Sequence, residues 1–469
     1  MSKFILIFVS VFVFIGVKTH GQNGFDSYLQ KDSVYRFNSS LRVLDSLLSV
    51  QTKQSVRDTA FYNSYGKSEV FTLNQLLFAA VNNNPDLIAI QTKIDVSNFQ
   101  AEGMTYLPDP MFEFELDDIM SDFSKVGMIN FYISQMFPFP GKLALEKKSV
   151  MNTKSMMQSE RLTMAVEIMN MIKMNYYDLY LLNNKLQVNH DNQLLLKTFI
   201  AAAEAQYMVG KGMQQEVFKS QIEMSRLQNE DFILKQQRKN IFSVLTKLTK
   251  IVVDEDTKIN FADIDTEYLL DKGNFNINST KTDKLIDYAF EHRPDLKTLK
   301  NKILMNQTDL DMAKINRLPD FNIKLGYKIL PFEEKNAFAF MVGVNIPFAP
   351  WSSGKYDLAI KKNEVIIKST TEEYSAKKND IRNEVTTIVN NMTSLKETMN
   401  FYYGVQIPQT ENTMKSAQYS YETNMGSFLD LLDAYKMYQE AKLMYYESVN
   451  MYLKMIAELE KATGLNLKN

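Results

Sequence analysis

Leu107-Pro108-Asp109 and Leu318-Pro319-Asp320 stand about 210 residues apart, each closing a helical stretch and opening an alternating one. Reading outward from them, the chain says the same thing twice. Asn83-Asn84-Pro85-Asp86-Leu87 precedes the first, and His292-Arg293-Pro294-Asp295-Leu296 precedes the second. Phe137-Pro138-Phe139, Gly141-Lys142 and Tyr207-Met208-Val209-Gly210 follow the first; Ile346-Pro347-Phe348, Gly354-Lys355 and Tyr421-Glu422-Thr423-Asn424 follow the second, in the same order. The ends agree too, since Leu245-Thr246-Lys247-Leu248-Thr249 falls on Leu459-Glu460-Lys461-Ala462-Thr463. Two copies are too few for a solenoid, which stacks three or more units to bury a continuous core. They predict an internal pseudo-twofold and a unit that other chains complete.

Each copy begins helically, from the candidate N-cap Thr72 to about Tyr106 with an interruption at Pro85, and from about Asp283 to Arg317. Leu-Pro-Asp ends both, because proline biases its predecessor toward extended backbone. The period then becomes two. Phe112, Phe114 and Leu116 alternate with Glu113, Glu115 and Asp117, and Ile129, Phe131 and Ile133 alternate with Asn130, Tyr132 and Ser134. In the second copy Phe321, Ile323, Leu325, Tyr327 and Ile329 oppose Asn322, Lys324, Gly326 and Lys328; Phe338, Phe340, Val342, Val344 and Ile346 oppose Ala337, Ala339, Met341, Gly343 and Asn345. Four strands are expected, at about 111–118, 127–136, 320–330 and 336–347. Their length and aromatic-rich face are those of outer-membrane β-barrel strands, the alternative being a small sandwich edge or a hairpin packed on helices; polar side chains on only one face of all four favour the membrane reading. Glu113, Glu115, Asp117, Lys324 and Lys328 then form a polar face toward the barrel lumen.

After each hairpin comes a helical stretch of about 65 residues, Leu143 to Met208 and Tyr356 to Tyr421. Ile381, Val385, Ile388, Met392, Leu395 and Met399 follow a heptad seam. The first long stretch has two: Ala165, Ile168, Ile172, Leu179, Leu182 and Leu186 beside Leu162, Val166, Met169, Tyr176 and Tyr180. A helix with two seams has a neighbour on each side, as in the wall of an α-helical barrel. The remaining helices, about Gln215 to Lys250 and Phe428 to Thr463, are half as long. At 1.5 Å per residue the long helices span about 100 Å and the others about 50 to 55 Å. Two short helices stacked end to end therefore match one long one. Four strands cannot close around a lumen, and an open edge cannot face lipid, so the chain is expected to oligomerise. A trimer supplies twelve strands, an even number within the range of membrane barrels.

At the N-terminus Lys3 precedes an apolar run from Phe4 to Val17, followed by small residues at Thr19 and Gly21, which reads as a secretory signal over 1–21. The chain has no cysteine, which excludes a lipid anchor on sulfur, disulfides and a thiolate metal site. No later stretch approaches 18 apolar residues, so a membrane location requires a closed barrel. A formal net charge of −2 gives no case for nucleic acid. The reading is thus a signal over 1–21, an arm over 22–68, a first unit over 69–251, a connecting equatorial segment over 252–280, a second unit over 281–465 and a tail over 466–469.

Enzyme chemistry finds little support. His190 and His292 are far apart and lack metal-ligand spacing, and neither Gly141-Lys142 nor Gly210-Lys211-Gly212 has a phosphate-loop pattern. Glu113, Glu115 and Asp117 alternate too strictly for a catalytic cluster. No cofactor is expected. The 27 methionines invite a Cu(I) reading, yet methionine at helix seams fills gaps, and Met128, Met136 and Met341 are dispersed along the chain.

Over about 70–465 the chain resembles the outer-membrane efflux protein family, the TolC-like channels of tripartite efflux and secretion systems. The resemblance rests on Asn84-Pro85-Asp86-Leu87, on Leu-Pro-Asp before the strands, on Gln135-Met136-Phe137-Pro138-Phe139-Pro140-Gly141-Lys142 after them, on Gly426-Ser427-Phe428-Leu429-Asp430-Leu431-Leu432-Asp433-Ala434 and on Leu459 to Gly464. It implies a mainly α fold with a small β part: a homotrimer whose twelve-stranded barrel sits in the outer membrane, above an α-helical barrel crossing the periplasm. The implied partners are a periplasmic adaptor (membrane fusion protein), an inner-membrane pump and outer-membrane lipid. The Pro-Phe-Pro-Gly-Lys segment resembles the heavy-metal branch, so metal cations stand beside drugs as implied substrates. Asp430 and Asp433, which share one helix face, would line the periplasmic gate as acidic rings; the first copy has Glu216 and Lys219 there. The competing reading of these aspartates is a first-turn complement to the helix dipole. Tyr207, Gly210, Gly212, Tyr421, Asn424 and Gly426 would shape and pack the turns at that end. Asn424 stands where the first copy has Gly210, and asparagine tolerates the left-handed conformation of a helix C-cap. The alternative to a channel is a periplasmic or surface coiled-coil scaffold without a pore. It accounts for the heptads and the signal, but not for alternating strands at matching places in both copies.

Overall fold

The computed structural model describes residues 70–119, 126–254, 257–262, 264, 269–270, 279–331 and 335–464. The signal, the arm and the tail lie outside the described residues. The first copy comprises β1 (Val70–Phe71), α1 (Leu73–Asn83), α2 (Pro85–Gly103), β2 (Met111–Ile119), β3 (Val126–Phe137), α3 (Lys142–Met208) and α4 (Gln214–Thr249). After β4 (Lys258–Ile259), the second comprises α5 (Ser279–His292), α6 (Pro294–Ile315), β5 (Phe321–Leu330), β6 (Lys335–Val344), α7 (Ser353–Phe401), a π turn (Tyr402–Gln406), α8 (Ile407–Glu422) and α9 (Phe428–Thr463).

Thr72 caps α1 through a reciprocal pair with Gln75, the Thr72 hydroxyl accepting from the Gln75 amide and the Gln75 side chain accepting from the Thr72 amide. The helices form one row. α2 and α4 flank α3; α6 and α9 flank it on the other side; α7 and α8 pack beyond α6 and α9. Each long helix thus alternates with a stack of two shorter ones. Most of the seam positions that the heptads marked are buried: Ile381, Val385 and Met399 of the second copy and Ile172, Tyr176 and Leu179 of the first belong to one core, which α6 and α9 join between α3 and α7. A separate apolar core gathers Leu196, Phe199, Val217, Tyr421, Phe428, Leu431 and Tyr435 at the far end of the row.

The duplicated Pro-Asp-Leu motifs are the joints of the stacks. Asn84 caps α2 by accepting from the Asp86 amide, and its side-chain amide donates to the Leu248 carbonyl at the end of α4 (3.2 Å). In the second copy Arg293 donates to the Ala462 carbonyl at the end of α9 (2.9 Å) while pairing with Asp295 and Glu384. Gly464, at φ +60°, ends α9 against this joint, and a Cβ there would come within 2.9 Å of the Arg293 Cα.

One expectation is corrected. The second long helix is not uniform: the π turn at Tyr402–Gln406 divides it, next to Pro408, which lacks an amide proton and displaces the carbonyl four residues back. The connecting segment also contains β4, paired in parallel with β1, and the Tyr176 hydroxyl donates to the Asn260 carbonyl beside it (2.7 Å). Two-residue strands have no period to read.

The four longer strands form one antiparallel sheet in the order β2-β3-β5-β6. β2 and β6 are its open edges. The open edges of the helical row, α2 with α4 and α7 with α8, belong to the same two ends of the chain.

Candidate functional site

The register decides what each sheet face carries. Phe112, Ile133, Leu325 and Phe340 lie in one cross-strand row, and Phe114, Phe131, Tyr327 and Phe338 in the next. This face is exposed, with Phe338 88% accessible and Phe112 and Phe340 about two-thirds accessible (68% and 67%). Its rings contact one another, Phe114 to Phe131 and Tyr327 to Phe338 both at 5.3 Å between centroids.

The opposite face is polar and more enclosed. Asn130, Tyr132 and Ser134 are buried there. Glu113 pairs with Lys324, whose ammonium stands 4.2 Å from the Tyr132 ring, and Glu115 accepts from Asn130 (3.3 Å). Lys328 shares a row with Asn130 and Glu115, and Asp117 faces Met128. All five residues read as a polar face therefore share one side of the sheet. So do the strand methionines 111, 128, 136 and 341, which share this face but are spread across it. The tight approach of Tyr132 to Gly326 leaves no room for a Cβ, which would lie 2.5 Å from the ring. An exposed aromatic face backed by a more covered polar one is the reverse of a sheet in water.

At the other end, the turns after α3 and α8 have one geometry. Lys211 and Gly212 both donate to the Gln206 carbonyl (2.9 Å each), and Met425 and Gly426 both donate to the Ser420 carbonyl (2.8 and 3.0 Å). Gly210 sits at φ +74° and Asn424 at φ +59°, so asparagine holds the left-handed position that glycine holds in the first copy. Tyr207 and Tyr421 are not equivalent. Tyr207 is exposed, whereas Tyr421 is buried, packs on Phe428 and donates its hydroxyl to Glu216 Oε2 (3.1 Å). Burial and then the Glu216 charge push the Tyr421 hydroxyl far above its usual range.

Asp430 and Asp433 are both exposed on the first turns of α9. The cap of α9 is the Ser427 hydroxyl, which accepts from the Asp430 amide (3.1 Å). Glu216, their counterpart in the first copy, is engaged by Tyr421 instead. Behind them lies a group that the sequence did not signal. Tyr435 is fully buried against Phe199 with its hydroxyl unpartnered, and burial followed by the nearby Glu223 charge raises its pKa strongly. Glu223 is itself buried beside Arg226 and Lys436. A buried tyrosine in a helical seam looks like any other core residue in a sequence. Among the described residues no three His, Asp or Glu side chains converge to hold a metal, and no helix is long and apolar enough to cross a membrane.

Solved structures share this arrangement of helical row and four-stranded sheet. The outer-membrane channel OprN superposes with a TM-score of 0.69 at 11% identity, over 84% of this chain and 89% of its own. The outer membrane protein VceC from Vibrio cholerae gives 0.66 at 14% identity, over 84% and 96%. The chain has the fold of the outer-membrane channels. The MtrE outer membrane channel of Neisseria gonorrhoeae, in its open state, gives 0.68 at 14% identity, over 84% and 89%. Neither a protein-family model nor a curated protein sequence matches the chain. The outer-membrane channel fold has thus been kept at identities too low to carry residue roles across.

Proposed function

We propose that the protein is the exit duct of a tripartite efflux system, a passive homotrimeric channel in the outer membrane with a periplasmic extension. The observation that carries this is the inverted sheet: an exposed aromatic face backed by a polar, enclosed one, in a chain whose sheet and helical row are both open at the same two ends. Exposed backbone edges cannot stand in hydrocarbon, and a barrel removes them. Three copies give twelve strands and a wall of six long helices alternating with six stacks. At 67 residues, α3 alone spans about 100 Å, a length suited to reaching an adaptor and an inner-membrane pump across the periplasm. Glu113, Glu115, Asp117, Lys324 and Lys328 face the barrel lumen, and Asp430 and Asp433 form acidic rings at the periplasmic tip. The protein carries no reaction.

Fractionation of a Gram-negative-type envelope, followed by mass measurement in detergent, tests the reading. An outer-membrane trimer is the expected result. A monodisperse monomer in detergent-free periplasmic extract would overturn it and favour the scaffold.

A further inference from the structure

Within one chain the sheet is fastened to the helical wall by a joint that combines the two copies. Lys142, at the start of α3, is 7% exposed. Its ammonium donates to Asp320 (2.7 Å) and to the Leu318 carbonyl (3.2 Å), and Asp320 also accepts from the Phe139 amide (2.8 Å). Gly-Lys of the first copy thus closes on Leu-Pro-Asp of the second, directly below the pairing of β3 with β5. The duplication supplies the same parts once more. Gly354-Lys355 follows β6 and Leu107-Pro108-Asp109 precedes β2, but these stand at opposite open edges of the chain. Lys355, Asp109, Leu107 and Phe348 are all exposed, and the Lys355 ammonium rests over the Tyr356 ring at 4.8 Å.

We propose that Lys355 of one copy closes on Asp109 and the Leu107 carbonyl of the next, repeating across the subunit boundary the joint that Lys142 makes with Asp320 and Leu318. This rests on the reading of the protein as a closed ring of copies. The strand register follows from the same duplication. Phe137 pairs with Phe321 and Gln135 with Ile323. Phe137-Pro138 corresponds to Ile346-Pro347, and Asp320-Phe321 to Asp109-Pro110, so Val344 is carried opposite Phe112 of the next copy, Val342 opposite Phe114 and Phe340 opposite Leu116.

Three independent checks agree. Strand directions alternate along β2-β3-β5-β6, so β6 meets the next β2 antiparallel. The three pairs so carried, Val344 with Phe112, Val342 with Phe114 and Phe340 with Leu116, share the apolar face, and a slip of one residue would reverse the match. Within a chain Phe112 shares a row with Phe340, whereas across the boundary it meets Val344, a stagger of four residues per boundary. A closed barrel requires such a stagger.

The second copy carries extra residues between Phe348 and Gly354, including the 89% exposed Trp351, beyond the paired strand and before Lys355. They lengthen the connection without altering the register.

The chain has no cysteine, so paired cysteines report neighbours directly. Lys355→Cys with Asp109→Cys, and separately Val344→Cys with Phe112→Cys, are expected to give reducible covalent dimers and trimers on denaturing gels after mild oxidation. Phe340→Cys with Phe112→Cys is the slipped control and is expected to give none. In a second arm, Lys355→Asp alone raises the monomer fraction about tenfold, and adding Asp109→Lys restores the oligomer. A trimer by mass that links only through the slipped pair, or a charge reversal that leaves assembly unchanged, would overturn the joint while leaving the duct reading intact. A protein monomeric by mass in detergent would overturn both.

Discussion

Asn424 shows how much a single position can say. Its place in the duplication, opposite Gly210, carries the demand for a left-handed residue, and the backbone meets it at φ +59°. Asn424→Gly is expected to leave thermal stability unchanged, whereas Asn424→Val should cost about 1 to 2 kcal/mol, read as a lower unfolding midpoint. Tyr421 was legible only as an aromatic at a turn, because its partner Glu216 lies about 200 residues away. Tyr421→Phe keeps the packing on Phe428 and removes one hydrogen bond, at about 1 to 3 kcal/mol for an acceptor bearing charge. Faster hydrogen exchange over 419–427 is the expected readout. The raised Tyr421 pKa also fixes a sign: the unfolded chain loses its phenol proton first. The contribution of this contact is therefore complete below about pH 10, the ordinary tyrosine range, and declines as pH rises toward the folded value. An alkaline unfolding series in which Tyr421→Phe loses less stability than the parent checks it.

At the scale of elements, periodicity carried the argument and contacts across the stacks did not. The heptads placed Ile381, Val385 and Met399 in a seam, and the period of two placed the four longer strands, because burial imposes those spacings locally. The role of Pro-Asp-Leu was invisible, since a helix-starting proline reads alike whether or not another helix ends against it. Asn84 and Arg293 solve that joint differently. Asn84 is neutral and touches one carbonyl, whereas Arg293 is a buried cation held by Asp295 and Glu384. Burial works to raise the Asp295 pKa, but its hydrogen bonds and the charge of Arg293, then Lys377, outweigh that and hold it below the usual range. Removing Arg293 leaves Asp295 to Lys377 and Glu384 without its Arg293 partner, so Arg293→Ala should cost about 3 kcal/mol. Asn84→Ala should cost about 1 to 3 kcal/mol. Denaturant unfolding of each variant compares the two, and equal losses would mean that the ionic joint is no more than a cap.

For the whole molecule, the sheet and the tip ask for opposite tests. Phe338→Arg places a cation on the aromatic face and should cost about 2 to 4 kcal/mol if that face meets the middle of a bilayer. Lys324→Ser, on the polar face, should assemble nearly normally, and trimer yield from membranes compares them. At the tip, six carboxylates from Asp430 and Asp433 would share a narrow aqueous passage, their repulsion offset by cations. The Ser427 hydroxyl already caps α9, so these acids are not needed to satisfy its first amides. Both stand exposed, apart from the apolar tip core built by Phe428, Leu431 and Tyr435. Asp430→Ala with Asp433→Ala should therefore weaken cation preference and block by multivalent cations while trimer yield and heat stability stay nearly unchanged. Single-channel recording in planar bilayers measures the first pair, and a melting curve the second. Selectivity that survives the double substitution would return both acids to the dipole of α9 and place the constriction elsewhere along the duct.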